Sequence, residues 1–176
     1  MIDLRFVAPD LRRLDETDAE IFACGVFRDE RPFRGLAGLL DFRLAGKLSR
    51  LARQGFVLGE VGEALLVPAR PRLTADKLLV LGLGPRADFD DDTFRRVLAR
   101  TLDALEGLSV KRAIVELPGR GASAFEAARA ARLLFEALDD DRRDVLTFVE
   151  SEPDRGVYEQ KDAEAKRAAR RESLRP

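Results

Sequence analysis

The sequence predicts a three-layer α/β/α domain built on a mixed, mostly parallel sheet. Strand-like and helix-like stretches alternate along the 176 residues. Two runs, AEIFACGVF and KLLVLGLG, are apolar on both faces, as strands covered by helices on each side are. Two strand-like runs also follow each other directly between residues 62 and 84, which makes the sheet mixed.

Each element has its own signal. Residues 2 to 7, IDLRFV, alternate apolar and polar and read as a strand. Residues 19 to 27 form a buried strand, and DERPFRG then breaks the pattern with charge, Pro32 and Gly35. From Leu36 to Arg53 leucines recur at helical spacing, and Gly55 is the expected stop. GEALLVPA (62 to 69) and KLLVLGLG (77 to 84) are strands. Residues 90 to 105 form a helix with Phe94, Val97, Leu98, Leu102 and Leu105 on one stripe. KRAIVELPG (111 to 119) is a strand closed by Pro-Gly, residues 123 to 138 are a helix, and DVLTFVE (144 to 150) is the last strand. These elements form one domain over residues 1–152. Residues 153–176 read as a charged, alanine-rich tail that can be helical and either frays or docks on a partner.

Composition narrows the chemistry. Charged residues make up 36% of the chain, yet the formal net charge is −1, so no global field draws it to nucleic acid or membrane. The chain has no histidine, which removes Ser-His-Asp and Cys-His catalysis and histidine-based zinc sites. The single cysteine, Cys24, lies in an apolar run and reads as a buried small residue. There is no signal-peptide pattern at the N-terminus and no run long enough to span a bilayer, so a cytoplasmic protein is expected.

Two glycine turns attract attention, because such turns between a strand and a helix often cradle phosphate. The first holds Gly82 and Gly84. It lacks the third glycine of a dinucleotide fingerprint and runs into Asp88, Asp90, Asp91 and Asp92, which cap the next helix and repel phosphate. It reads as a corner. The second holds Gly119, Arg120, Gly121 and Ser123, with Ser123 and Glu126 in a capping-box pattern and Arg120 free to meet an anion. It is the better ligand site, and Arg120→Ala is expected to weaken binding without harming the fold. Asp18 and Glu20 in TDAE lack further ligands, so no metal site is expected. Arg43, Lys47 and Arg50 stand a helical turn apart and are the candidate nucleic-acid stripe. They lack interleaved aromatics, so nucleic acid is the weakest partner.

Three stretches carry a family resemblance: the segment from IFACGVF through LARQGF, then GEVGEALLVPA, then KLLVLGLGPRADFDDDTFRRVLA. With Gly62-Glu63 opening a strand and Gly82-Leu83-Gly84 closing the next, the chain resembles the N-terminal domain of the leucyl (cytosol) aminopeptidase family across about residues 2 to 150. The resemblance implies a macro-like fold. It also implies that the metals and peptidase chemistry belong to a larger C-terminal domain, expected to be absent here. The run Glu16-Thr17-Asp18-Ala19-Glu20 only partly echoes that domain's signature and lies before a strand, so no catalytic residue is carried over. True macro domains bind ADP-ribose with glycine-rich loops. Here the first would fall at RPFRGLAG, with Arg34 and Leu36 where small glycines are expected, and the second at PGRGAS, which fits better. The expected function is a non-catalytic module acting through protein contacts or self-association, with no cofactor. The alternatives are a small-ligand module for a nucleotide or ADP-ribose, and DNA binding through the basic stripe.

Overall fold

The computed structural model describes residues 3–138 and 145–172. Ile2 and Asp144, at the ends of the expected first and last strands, lie outside these residues, as do the last four residues of the tail.

Six strands form one sheet: β1 (Asp3–Val7), β2 (Ile21–Val26), β3 (Ala64–Pro68), β4 (Lys77–Gly82), β5 (Arg112–Val115) and β6 (Val145–Val149), in the order β1-β6-β5-β2-β4-β3. All neighbours are parallel except β3, which runs antiparallel to β4 at one edge. The mixed, mostly parallel sheet expected from the sequence is therefore present.

Alternation along the central strands sends side chains into two cores. Phe22, Cys24, Val26, Val80 and Ile114 pack against α1 (Leu11–Glu16), α2 (Gly35–Arg43) and α3 (Lys47–Arg53). Ile21, Ala23, Leu81, Ala113 and Val115 pack against α4 (Asp91–Gly107) and α5 (Ala127–Ala137) on the other face. The last helix, α6 (Glu152–Glu172), joins this second layer through Tyr158, which is fully buried. Among the described residues no helix is long and apolar enough to cross a membrane.

Three details depart from the sequence reading. The single helix expected from Leu36 to Arg53 is two helices, broken at Ala45 and Gly46, which both take left-handed backbone conformations (φ 53° and 75°). Asp41 explains the break. Its carboxylate accepts from Leu48 N at 2.8 Å and Ser49 N at 3.1 Å, and so caps the second helix with a side chain from the first. A short helix not expected from the sequence, α1, is capped by Asp10, which accepts from Arg12 N and Arg13 N. Finally, α5 starts at Ala127 and not at Ser123.

Candidate functional site

The strand order reverses between β5 and β2. From β2 the chain moves toward β4 and β3, and from β5 it moves toward β6. A crevice of about 510 Å³ opens at the carboxyl ends of β5 and β6 beside this reversal, the place where open α/β sheets take ligands. Gly35 and Leu39 line it from α2, Glu116 from the end of β5, Arg120 and Gly121 from the β5–α5 turn, and Glu150 from the end of β6. Ser123 and Asp154 stand at its margin.

Arg120 is the best-held side chain there. Its Nε and Nη2 donate to the two carboxylate oxygens of Glu150 at 2.6 and 2.8 Å, a bidentate pair. Nη2 also reaches Asp154 at 2.9 Å, and Nη1 donates to Phe125 O at 2.6 Å. Glu150 is buried and accepts a further bond, from the Tyr158 hydroxyl at 2.8 Å. Bonding to Glu150 lifts the Arg120 pKa above its ordinary value, while burial, followed by the charge of Glu150, pushes the Tyr158 phenol up. One arginine thus ties the turn, the end of β6 and the start of α6 together.

Glu116 is the other wall. It is 7% exposed, and its Oε1 accepts from Leu36 N at 2.7 Å, in the first turn of α2. Burial pushes its carboxyl up to about 8; the Leu36 N–H opposes this, Glu150 and Glu30 add to it, and Arg120 opposes it.

Of the predicted ligand residues, Arg120, Gly121 and Ser123 meet at the crevice, and Gly119 lines a small adjoining cavity with Gly121 and Glu116. Arg120 is not free for an anion, as the sequence reading had it, because Glu150 and Asp154 already hold it. Removing it would leave Glu150 buried without its cation, so Arg120→Ala is expected to cost stability as well as to alter the site. Ser123 does not cap α5: it has a left-handed φ of 53°, and Arg120 Nη1 and Ala124 N (to Gly119 O, 2.9 Å) hold residues 119 to 125 as consecutive turns. Gly82 and Gly84 lie elsewhere, packed under the turn at Gly59 and Glu60; Gly84 N donates to Gly59 O at 2.7 Å.

The basic residues do not share one helix. Arg43 ends α2 and pairs with Asp15; Lys47 opens α3 and donates to Pro68 O at 2.8 Å; Arg50 donates to Ala45 O at 2.7 Å. Asp18 pairs with Arg112 at 3.0 Å, and Glu20 accepts from Arg112 N at 3.2 Å. Among the described residues no group of three or more His, Cys, Asp or Glu is placed to hold a metal ion. Cys24 is fully buried, and burial, then the charge of Glu116, raises its thiol pKa.

Sequence reasoning passed over Gly35, Glu116, Glu150 and Asp154. A signal did exist: Glu116 interrupts an apolar strand in AIVELPG, and Glu150 closes another in LTFVE, both at the strand ends where sites gather.

Comparison with known proteins agrees with this fold. Residues 23–141 match the model of the cytosol aminopeptidase family, N-terminal domain. A probable cytosol aminopeptidase of Halorhodospira halophila is 35% identical over 118 residues, 65% of this chain and 23% of that protein. The cytosol aminopeptidase of Pseudomonas aeruginosa is 31% identical over 104 residues, 59% of this chain and 21% of that protein. The chain therefore spans under a quarter of the length of these relatives. Among solved structures, a mutant tomato leucine aminopeptidase superposes with a TM-score of 0.61 at 13% identity, covering 92% of this chain and 36% of that one. The Trypanosoma brucei macrodomain in complex with ADP-ribose gives 0.69 at 17% identity, covering 90% and 68%. At these identities the structural likeness shows the fold, a macrodomain-like α/β/α sandwich. The family match over residues 23–141 shows more: the chain belongs to the cytosol aminopeptidase family, through its N-terminal domain.

Proposed function

We propose that this chain is a non-catalytic module that binds a small anionic ligand, of the nucleotide or ADP-ribose class, in the crevice between the β2–α2 and β5–α5 turns. The position of the crevice carries the reading. It sits at the carboxyl ends of β5 and β6 beside the strand-order reversal, walled by the main chain of Gly35 and Gly121. The N–H group of Gly121, on the crevice wall, has no acceptor among the described residues and supplies a donor suited to an anion. Macrodomains of the same fold in complex with ADP and with ADP-ribose support the ligand class. In this reading Arg120 and Ser123 shape the turn, and Gly82 and Gly84 do not touch ligand. Calorimetric titration with ADP-ribose tests it. Binding with a micromolar dissociation constant is expected, and the absence of heat from folded protein removes the reading.

A second reading, a protein contact, rests on a separate surface. Phe56 and Leu66 are 61% and 42% exposed and, with Leu51 and Leu65, line an apolar trough of about 210 Å³ between α3 and the edge strand β3. Sedimentation velocity of the chain alone tests self-association there. Association abolished by Phe56→Ser supports it, and a monomer at all concentrations counts against it.

A further inference from the structure

Glu116 meets the crevice at the start of α2. Its Oε1 takes the Leu36 N–H at the start of α2, a nine-residue helix whose dipole favours negative charge. Main chain presses on it from two sides. A Cβ added to Gly121 would collide with the carboxyl group, and one added to Gly35 would strike both Oε1 and the Cα of Gly121. Nine-tenths of the residue is buried, and Oε2, which has no hydrogen-bond partner among the described residues, still reaches solvent where Glu116 lines the crevice.

Resting on the ligand reading above, we propose that Glu116 is the specificity-determining stopper of this crevice. It lies beside the place a ligand phosphate or carboxylate oxygen would take, and it admits an anion there only when its own carboxyl carries a proton. As a carboxylate it repels the incoming charge. As a carboxylic acid it is neutral, and its hydroxyl can donate to the ligand.

The groups facing it set its charge. Glu30 approaches from the β2–α2 turn, Arg34 lines the adjoining cavity, and the Cys24 thiol comes from β2. Arg120 comes from the β5–α5 turn, Glu150 from the end of β6, and Asp154 from the start of α6. Three of these six are acidic, and Arg120 is already committed to Glu150 and Asp154. Burial, with the charges of Glu150 and Glu30 adding to it and the Leu36 N–H and Arg120 opposing it, pushes the carboxyl up to about 8, so the change of state falls within the range where the protein can be handled.

The test is titration of the full chain and of Glu116→Gln with ADP-ribose at pH 6.5 and pH 9, a range over which the ligand's diphosphate charge is constant. Wild type should bind about tenfold more weakly at pH 9, as expected when one proton is required and is lost near pH 8. Glu116→Gln, a neutral isostere that can still donate, should bind alike at both. Wild-type binding that does not change with pH overturns the stopper and leaves the ligand site standing. No binding by either protein at either pH overturns both. A carboxyl carbon NMR titration, assigned through its loss in Glu116→Gln, reads the proton without ligand. A midpoint near pH 8 supports the inference, and one below pH 6 sinks it.

Discussion

Two glycine turns close the carboxyl ends of β4 and β5, the parallel strands on either side of β2, and they differ in what lies against them. At the end of β4, a Cβ on Gly82 would run into the Glu60 carbonyl, so main chain lies against it. The following helix is then capped by its own Asp90, which accepts from Thr93 N at 2.8 Å. At the end of β5, Gly121 meets the end of one side chain, Glu116, and beyond it lies open crevice. The first turn is closed by main chain, and the second by the end of a side chain. Glycine spacing in the sequence does not separate these cases; the neighbour does.

Substitutions can break or sharpen this contrast. The largest effect should come from Arg120→Ala, which strips the buried Glu150 of its bidentate partner. A loss of about 3–5 kcal/mol in urea-unfolding stability is expected, and adding Glu150→Gln should recover part of it. A loss below 1 kcal/mol would mean that the pair does not organise the second turn.

Next in size is a pH effect at Glu116. Its folded pKa, about 8, lies above the ordinary 4.5, so the native state keeps a proton that the unfolded chain has released. Wild-type stability from this group must then fall as pH rises from 4.5 to 8 and level off above that, by on the order of a few kcal/mol. Glu116→Gln should remove this slope in unfolding curves taken across the range. An unchanged slope would place its source elsewhere.

The smallest effects compare one substitution at both turns. Gly82→Ala forces backbone to move and should cost about 2 kcal/mol, whereas Gly121→Ala displaces a side-chain end and should cost about 1 kcal/mol. Equal losses by thermal unfolding would show that Glu116 is as fixed as the Glu60 main chain, and the contrast would fail.

Much of the fold was legible in the sequence because period and burial coincide. Val97, Leu98, Leu102 and Leu105 fall on the stripe that α4 buries, and the apolar run from Ile21 to Val26 is a central strand. The break between α2 and α3 was not, because Leu40, Leu44, Leu48 and Leu51 keep helical spacing across a turn that Asp41 stabilises. The capping box at Ser123 misled for a related reason: Arg120 fixes Phe125 O and postpones the helix. The site was half visible. Its glycines show in the sequence, but Glu116 acquires meaning only from Leu36, eighty residues earlier in the chain. No local pattern reports such a pair.

Tyr158 carries one more consequence. It plugs α6 into the core, and its hydroxyl ends on the same Glu150 oxygen that holds Arg120 Nε. From the second turn of the last helix to the crevice wall is therefore a chain of two hydrogen bonds. A tether, a tag or a bound protein that levers α6 outward would loosen the turn at the crevice before it disturbed the sheet. The helix is a handle on the turn that Arg120 holds.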